Sequence, residues 1–336
     1  MAELTEKEII HLKAYYNGMS VLISALIAGF LIMVLNPPDL NLMVAVSSVL
    51  PIGIIHNEPR TWDRLYRMSK VVFFSAVLQF VITMLIYDKF LLLSIAPLLT
   101  FCYLILIPRS TVAIIVVTIG WMAISSRPGL EPALNRSWGL LISFVSALIA
   151  TEISRHFEDK VIEFKQSPHY HITPFMALRM TMVITLCAYI YKFWQLPQGN
   201  WLVLTACLLY MSYLPEFNLK VLVVHRIIGA PIGLVLAFLL LASSSFFSYK
   251  IYYLLPFMAA VVFYAYNRTK KYVIFTAGYL MVMALFSDLA VSTYVPENLP
   301  DVYILRIFCT TVAAIIVLFF NIYFLPGKEG YYVENP

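Results

Sequence analysis

Pro197 to Gly233 reads PQGNWLVLTACLLYMSYLPEFNLKVLVVHRIIGAPIG. Pro197, Gly199 and Asn200 make a turn-rich opening, Trp201 leads into an apolar span, and Pro215 closes it. His225-Arg226 then opens a second apolar span that carries Gly229 and Gly233. Two apolar runs about a polar elbow read as a membrane hairpin, and that reading extends to the whole chain.

Of 336 residues, 61% are hydrophobic and 12% charged, with a mean hydropathy of +0.84. So much apolar surface cannot all be buried in one soluble core. The predicted class is an all-α polytopic membrane protein. Candidate spans fall near 19–35, 40–55, 70–87, 90–107, 111–125, 138–154, 177–194, 201–214, 221–242, 251–266, 272–287 and 305–325, about twelve in all for a hydrocarbon core of roughly 30 Å. The pair 90–107 and 111–125, joined at Pro108-Arg109, reads alternatively as a broken or re-entrant segment. The first residues carry charges of both signs (Glu3, Glu6, Lys7, Glu8, Lys13) and no small-residue cleavage site follows, so 19–35 is predicted to be a retained helix.

Lys and Arg crowd one side of these spans, for example at Arg60, Arg64, Arg155, Lys160, Lys165, Arg268, Lys270 and Lys271. The other side holds Lys89, Arg127, Arg136, Lys192, Lys250 and Arg306. Both termini are therefore expected in the cytoplasm. The net charge of +5 is explained by this topology, so no nucleic-acid partner is expected.

The chain also resembles itself. One constant spacing matches Pro38 with Pro197, Asn41 with Asn200, Arg67 with Arg226, Pro97 with Pro256 and Arg109 with Arg268, and a slightly longer one matches Glu131 with Asp301 and Arg136 with Arg306. An even number of spans per half predicts two parallel six-helix repeats. The expected organisation is a cytosolic segment at 1–18, a first membrane repeat at 19–154, a cytosolic linker at 155–176, a second repeat at 177–326 and a cytosolic tail at 327–336.

Pro197, Trp201 and Thr205 form a Pro-x-x-x-Trp-x-x-x-Thr opening, and Arg226, Gly229 and Gly233 form Arg-x-x-Gly-x-x-x-Gly. With Pro215 between them, these residues resemble the fusaric-acid-resistance type of aromatic acid exporter. Leu178-Arg179 is similar to the Leu-Arg that begins a helix in that family, and Arg306, Thr310 and Pro326 resemble its closing motif. The resemblance covers roughly 175 to 326 and implies a periplasmic adaptor partner. Many such exporters carry a large soluble segment between their halves, and this chain departs from them there. The membrane part of plant malate channels is also distantly similar.

No Gly-rich phosphate loop, nucleophile elbow, His-Glu-x-x-His or paired-Cys motif is present, so an enzyme and an ATP-driven pump are not expected, nor is a cofactor. Cys102, Cys187, Cys207 and Cys309 lie in apolar spans at no ligand spacing, and His169-x-His171 has no third ligand nearby, so no metal is expected. Charges at membrane depth mark a pathway because they are costly there. Arg179, Arg226, Arg67, Arg306 and Trp201 are the candidate substrate-binding residues: a guanidinium pairs bidentately with a carboxylate, and Trp201 with Tyr210 can stack on an aromatic ring. The alternative is that the arginines snorkel to phosphates and that Trp194 and Tyr213 belong to an interfacial belt.

Asp288 and Glu152 are the candidate proton-coupling residues, since burial raises a carboxyl pKa. Glu152 can instead pair with Arg155, while Glu131 and Asp301 each precede an arginine. His56 and His225 sit in polar elbows as relay or headgroup contacts. Gly229 and Gly233, four apart, are candidate helix-packing residues.

The expected function is proton-driven export of hydrophobic or aromatic carboxylic acids across a bacterial inner membrane. The expected partners are a small organic anion, the lipid bilayer, an adaptor and a further copy of the chain in a homo-oligomer. An anion channel and a non-transporting subunit of an envelope complex are the other readings.

Overall fold

The structure, a computed structural model, describes residues 6–35, 61–107, 110–125, 128–156, 170–212, 219–247, 254–269, 271–291, 299–323 and 331–333. In chain order these form α1 (Glu6–Leu35), α2 (Thr61–Leu85), α3 (Lys89–Leu106), α4 (Ser110–Trp121) with a 3₁₀ turn at Met122–Ser125, and α5 (Leu130–His156). There follow β1 (Tyr170–Ile172), α6 (Pro174–Phe193), α7 (Asn200–Ser212), α8 (Leu219–Phe247), α9 (Leu255–Thr269), α10 (Tyr272–Val291), α11 (Leu299–Ile322) and β2 (Tyr331–Val333).

Among the described residues, seven segments are long and apolar enough to cross a membrane: Ala14–Ile32, Leu65–Leu85, Lys89–Leu106, Leu130–Ser154, Pro174–Phe193, Leu219–Ser243 and Pro300–Ile322. Their outward faces carry large apolar side chains such as Phe30, Phe73, Leu98, Ile304 and Ile315, which suits lipid rather than water. The chain is thus an all-α multi-pass membrane protein; a count of twelve spans and a pair of repeats go beyond these helices. The expected span 40–55, His56, Arg109, Tyr213, Pro215, Pro326 and most of the linker at 155–176 lie outside the described residues.

Local chemistry explains several boundaries. Asp88 caps α3, its carboxylate accepting from the backbone N–H of Phe90 at 2.9 Å and of Leu91 at 3.0 Å. Thr173 caps α6, where Pro174 takes a first-turn position that needs no N–H donor. α1 starts at Glu6, ahead of the apolar run near Met19, because the helix-favouring stretch EKEIIHLK continues the same helix into charged residues. Buried hydroxyls bond back to their own helix: Thr83 to the Gln79 carbonyl, Thr100 to Ala96 and Thr118 to Ile114, which satisfies them without a second helix.

The chain divides into two compact units, each drawing on both halves of the sequence. One comprises residues 1–69, 139–166 and 228–299. In it α1 packs on α9 and α9 on α10, about a core of Val21, Met68, Ala147, Ala259 and Val282. Ser20 Oγ donates to Ser154 Oγ at 2.7 Å. Gly229 and Gly233 lie against α10, where a Cβ at Gly229 would stand 2.9 Å from the Thr276 Cβ and one at Gly233 would strike the Ala277 carbonyl.

The other unit comprises residues 70–138, 167–227 and 300–336. Here α3 packs on α6, α6 on α7, and α4 on both α3 and α7. α4 and α7 are short, about 18 and 20 Å at 1.5 Å per residue, too little to cross a bilayer core alone. The expected spans 111–125 and 201–214 thus correspond to short apolar helices, and they are not among the seven long segments. The end of α4 is tied by side chains: Gln79 Nε2 donates to the Ile119 carbonyl at 2.8 Å, Trp121 Nε1 to Thr100 Oγ1 at 2.8 Å, and Arg136 Nη1 to the Met122 carbonyl at 3.4 Å. β1 and β2 pair antiparallel, Tyr170 opposite Val333 and Ile172 opposite Tyr331. This ribbon, within the expected linker and tail, fastens the chain just before α6 to the chain after α11.

Candidate functional site

Arg179, Trp201, Arg226 and Arg306 all fall in the second unit and all are buried, at 6%, 2%, 0% and 2% exposure. Arg67 is half-buried and belongs to the first unit. Arg226 stands in the second turn of α8, three residues before Gly229. A buried guanidinium in an apolar helix costs a few kcal/mol unless something answers its charge, so the surroundings of each arginine define what it can do.

Arg306, in the second turn of α11, meets the start of α7. Its Nε donates to Gln198 Oε1 at 3.0 Å, and its guanidinium carbon lies 5.2 Å from the Trp201 ring centroid and 5.1 Å from that of Tyr303. Two desolvated cation–π contacts contribute up to roughly 2 kcal/mol each. The turn that presents Gln198 is tight. Gln195 and Gln198 adopt positive φ, 48° and 58°, and a Cβ at Gly199 would stand 2.9 Å from the Leu196 carbonyl and overlap the Tyr191 ring. The Pro-Gln-Gly-Asn sequence thus serves to bend α6 back into α7.

Arg179, in the second turn of α6, meets the other end of α7. Its Nη1 donates to Asn321 Oδ1 at 2.7 Å. Asn321 Nδ2 donates to Tyr210 Oη at 3.1 Å and to the Val317 carbonyl at 2.7 Å. Arg179 Nε is buried and has no acceptor among the described residues. Between the two arginines, Thr205 and Thr310 hydroxyls stand 3.5 Å apart. Arg306 and Asn321 are separated by about 22 Å along α11.

The carboxylates are placed differently. Glu152 is exposed on α5. Asp288 is on α10, but its side chain is not among the described ones. Glu131 and Asp301 are exposed in the first turns of α5 and α11, where acidic side chains favour the helix dipole. Trp194 is exposed, Tyr210 fully buried. Cys187, Cys207 and Cys309 are buried free thiols, and no group of three metal-ligating side chains occurs among the described residues.

Sequence reasoning picked out the arginines and Trp201 but missed Gln198 and Asn321, which engage Arg306 and Arg179. The available signal was a lone amide in the apolar run IIVLFFNIYF, since a side-chain amide in hydrocarbon needs partners.

No curated protein and no solved structure matches the chain. Residues 186–320 match the family model described as fusaric acid resistance protein-like. The matched residues contain Trp201, Arg226 and Arg306 and stop between the two partners Arg179 and Asn321, which flank them on either side. The match supports the resemblance carried by Trp201, Thr205, Arg226, Gly229 and Gly233.

Proposed function

We propose that the chain is a secondary exporter of hydrophobic, weakly acidic compounds, aromatic carboxylic acids among them, working across a bacterial inner membrane with both termini in the cytoplasm. One observation carries this reading: Arg179, Arg226 and Arg306 are buried within a single unit of apolar helices. Buried fixed cations in a low-dielectric site attract and orient an anion far more strongly than they would in water. Arg179 and Arg226 pair with the carboxylate, and Trp201 and Arg306 border its path. Gly229 and Gly233 allow α8 to approach α10 closely.

Asp288 and Glu152 are the proposed proton carriers, protonated on one side of the membrane and released on the other. A periplasmic adaptor and a homo-oligomer complete the proposed assembly. The test is uptake of benzoate and hexanoate into proteoliposomes, with and without an imposed pH gradient. Gradient-dependent accumulation is expected. Flux that follows voltage alone would replace the carrier by an anion channel, and no flux would favour a non-transporting subunit.

A further inference from the structure

Arg179 has five N–H donors and, among the described residues, one acceptor, Asn321 Oδ1 at 2.7 Å from Nη1. It is 6% exposed, and its Nε is fully enclosed with no acceptor. The partner it does have is neutral, so its charge is not cancelled there. Nη1 being taken, the remaining edge is the one formed by Nε and Nη2. That side-on edge is one a carboxylate can engage with two parallel N–H···O bonds.

Asn321 is held so that it can serve only one purpose. Its Nδ2 donates to Tyr210 Oη at 3.1 Å and to the Val317 carbonyl at 2.7 Å. Flipping the amide would turn NH₂ against a guanidinium donor and set the amide oxygen against the Val317 carbonyl. The oxygen is thereby fixed toward Nη1, and Nη1 fixes the plane of the guanidinium. Three helices contribute: α6 gives the cation, α11 the amide and α7 the phenol. The β1–β2 ribbon ties the chain entering α6 to the chain leaving α11, close to both partners in sequence.

We propose that the Nε/Nη2 edge of Arg179 is a carboxylate subsite and that Asn321, braced by Tyr210, is its positioning residue. The choice of an organic acid as ligand rests on the exporter reading; the subsite itself rests on the enclosed Nε, which has no acceptor among the described residues, and on the neutrality of the Asn321 partner. Opening of this region admits the acid, and its carboxylate then supplies the acceptors that Asn321 does not.

The full chain purified in neutral detergent is tested by equilibrium dialysis with radiolabelled benzoate and with the neutral isostere benzamide. Asn321→Asp puts a fixed carboxylate against Nη1 and competes with the ligand for the charge: benzoate affinity is expected to fall at least about tenfold, a loss of roughly 1.4 kcal/mol, while benzamide binding is unchanged. Tyr210→Phe loosens the amide but leaves its bond to Val317, and a two- to fivefold loss for benzoate alone is expected, on the order of one neutral hydrogen bond. Benzoate binding that is absent in the wild type, indifferent to Asn321→Asp, or lost in parallel with benzamide would overturn the subsite. So would displacement of bound phosphatidylglycerol in place of a benzoate signal, which would assign the edge to a lipid phosphate. The two readings fail separately: a chain that binds benzoate in this pattern but moves none across proteoliposomes loses the exporter reading, and one that transports benzoate with Asn321→Asp indifferent loses the subsite.

Discussion

At the start of α7, Arg306 lies against two aromatic rings and donates Nε to the Gln198 amide. At the end of the same helix, Arg179 touches one amide oxygen and keeps an enclosed Nε without an acceptor among the described residues. Both arginines are buried, yet among the described residues Arg306 meets two rings and an amide while Arg179 meets one neutral amide oxygen. A guanidinium near the start of α7 also faces the positive end of the helix dipole, so the rings and the amide are what hold it there. Burial alone therefore does not separate the two arginines: Arg306 is enclosed by π faces, whereas Arg179 keeps a buried Nε with no acceptor among the described residues, and under the proposed subsite that is the edge a carboxylate takes.

The largest expected effect tests the structural end. Trp201 is 2% exposed and supplies both core volume and a ring to Arg306. Trp201→Ala should cost about 3–5 kcal/mol of stability, the usual range for emptying a buried aromatic site, visible as a large drop in the detergent melting temperature. If melting were unchanged while benzoate binding vanished, the roles of the two ends would be reversed.

Next in size is the pair of arginine truncations. Arg179→Ala is expected to weaken benzoate binding about 30- to 100-fold, the loss of one charge-assisted bidentate contact of roughly 2–3 kcal/mol. Its melting temperature should change little or rise, because an uncompensated buried charge is removed. Arg306→Ala should do the opposite in proportion, lowering melting far more than affinity. Equal profiles for the two variants, read by melting and dialysis on the same samples, would dissolve the distinction.

Much of the architecture was legible because its cause is local. Apolar runs announced the membrane helices, and Pro197, Gly199 and Asn200 announced the turn that leads from α6 into α7. What escaped was set by partners distant in sequence. The β1–β2 ribbon joins two three-residue strands too short to show a period of two, and its pairing spans most of the second half of the chain. The segment at 111–125 has the composition of a span, but it is a short buried helix ended by donors from Gln79, Trp121 and Arg136, and such side-chain terminations leave no pattern in hydropathy. α1 reaches back to Glu6 because helix propensity does not stop where apolarity does. At the site, the motif arginines were visible and their partners were not: Asn321 is one polar letter in an apolar run, and only the fold shows that it faces Arg179.

The smallest effect isolates the backbone under Arg306. Gln198 adopts φ 58°, a conformation costing a non-glycine residue roughly 1 kcal/mol, and its side chain accepts from Arg306 Nε at 3.0 Å. Gln198→Ala loses the hydrogen bond and keeps the strained backbone, for a cost of about 1.5–3 kcal/mol, typical of a bond to a charged group. Gln198→Gly loses the same bond but relieves the strain, because glycine populates positive φ freely. The glycine variant should therefore melt above the alanine variant, the reverse of the order at an ordinary position, where glycine is worse by about 0.5–1 kcal/mol. An alanine variant that melts higher would mean that the turn is held by the packing of Gly199 against Tyr191 and that Gln198 contributes only its amide.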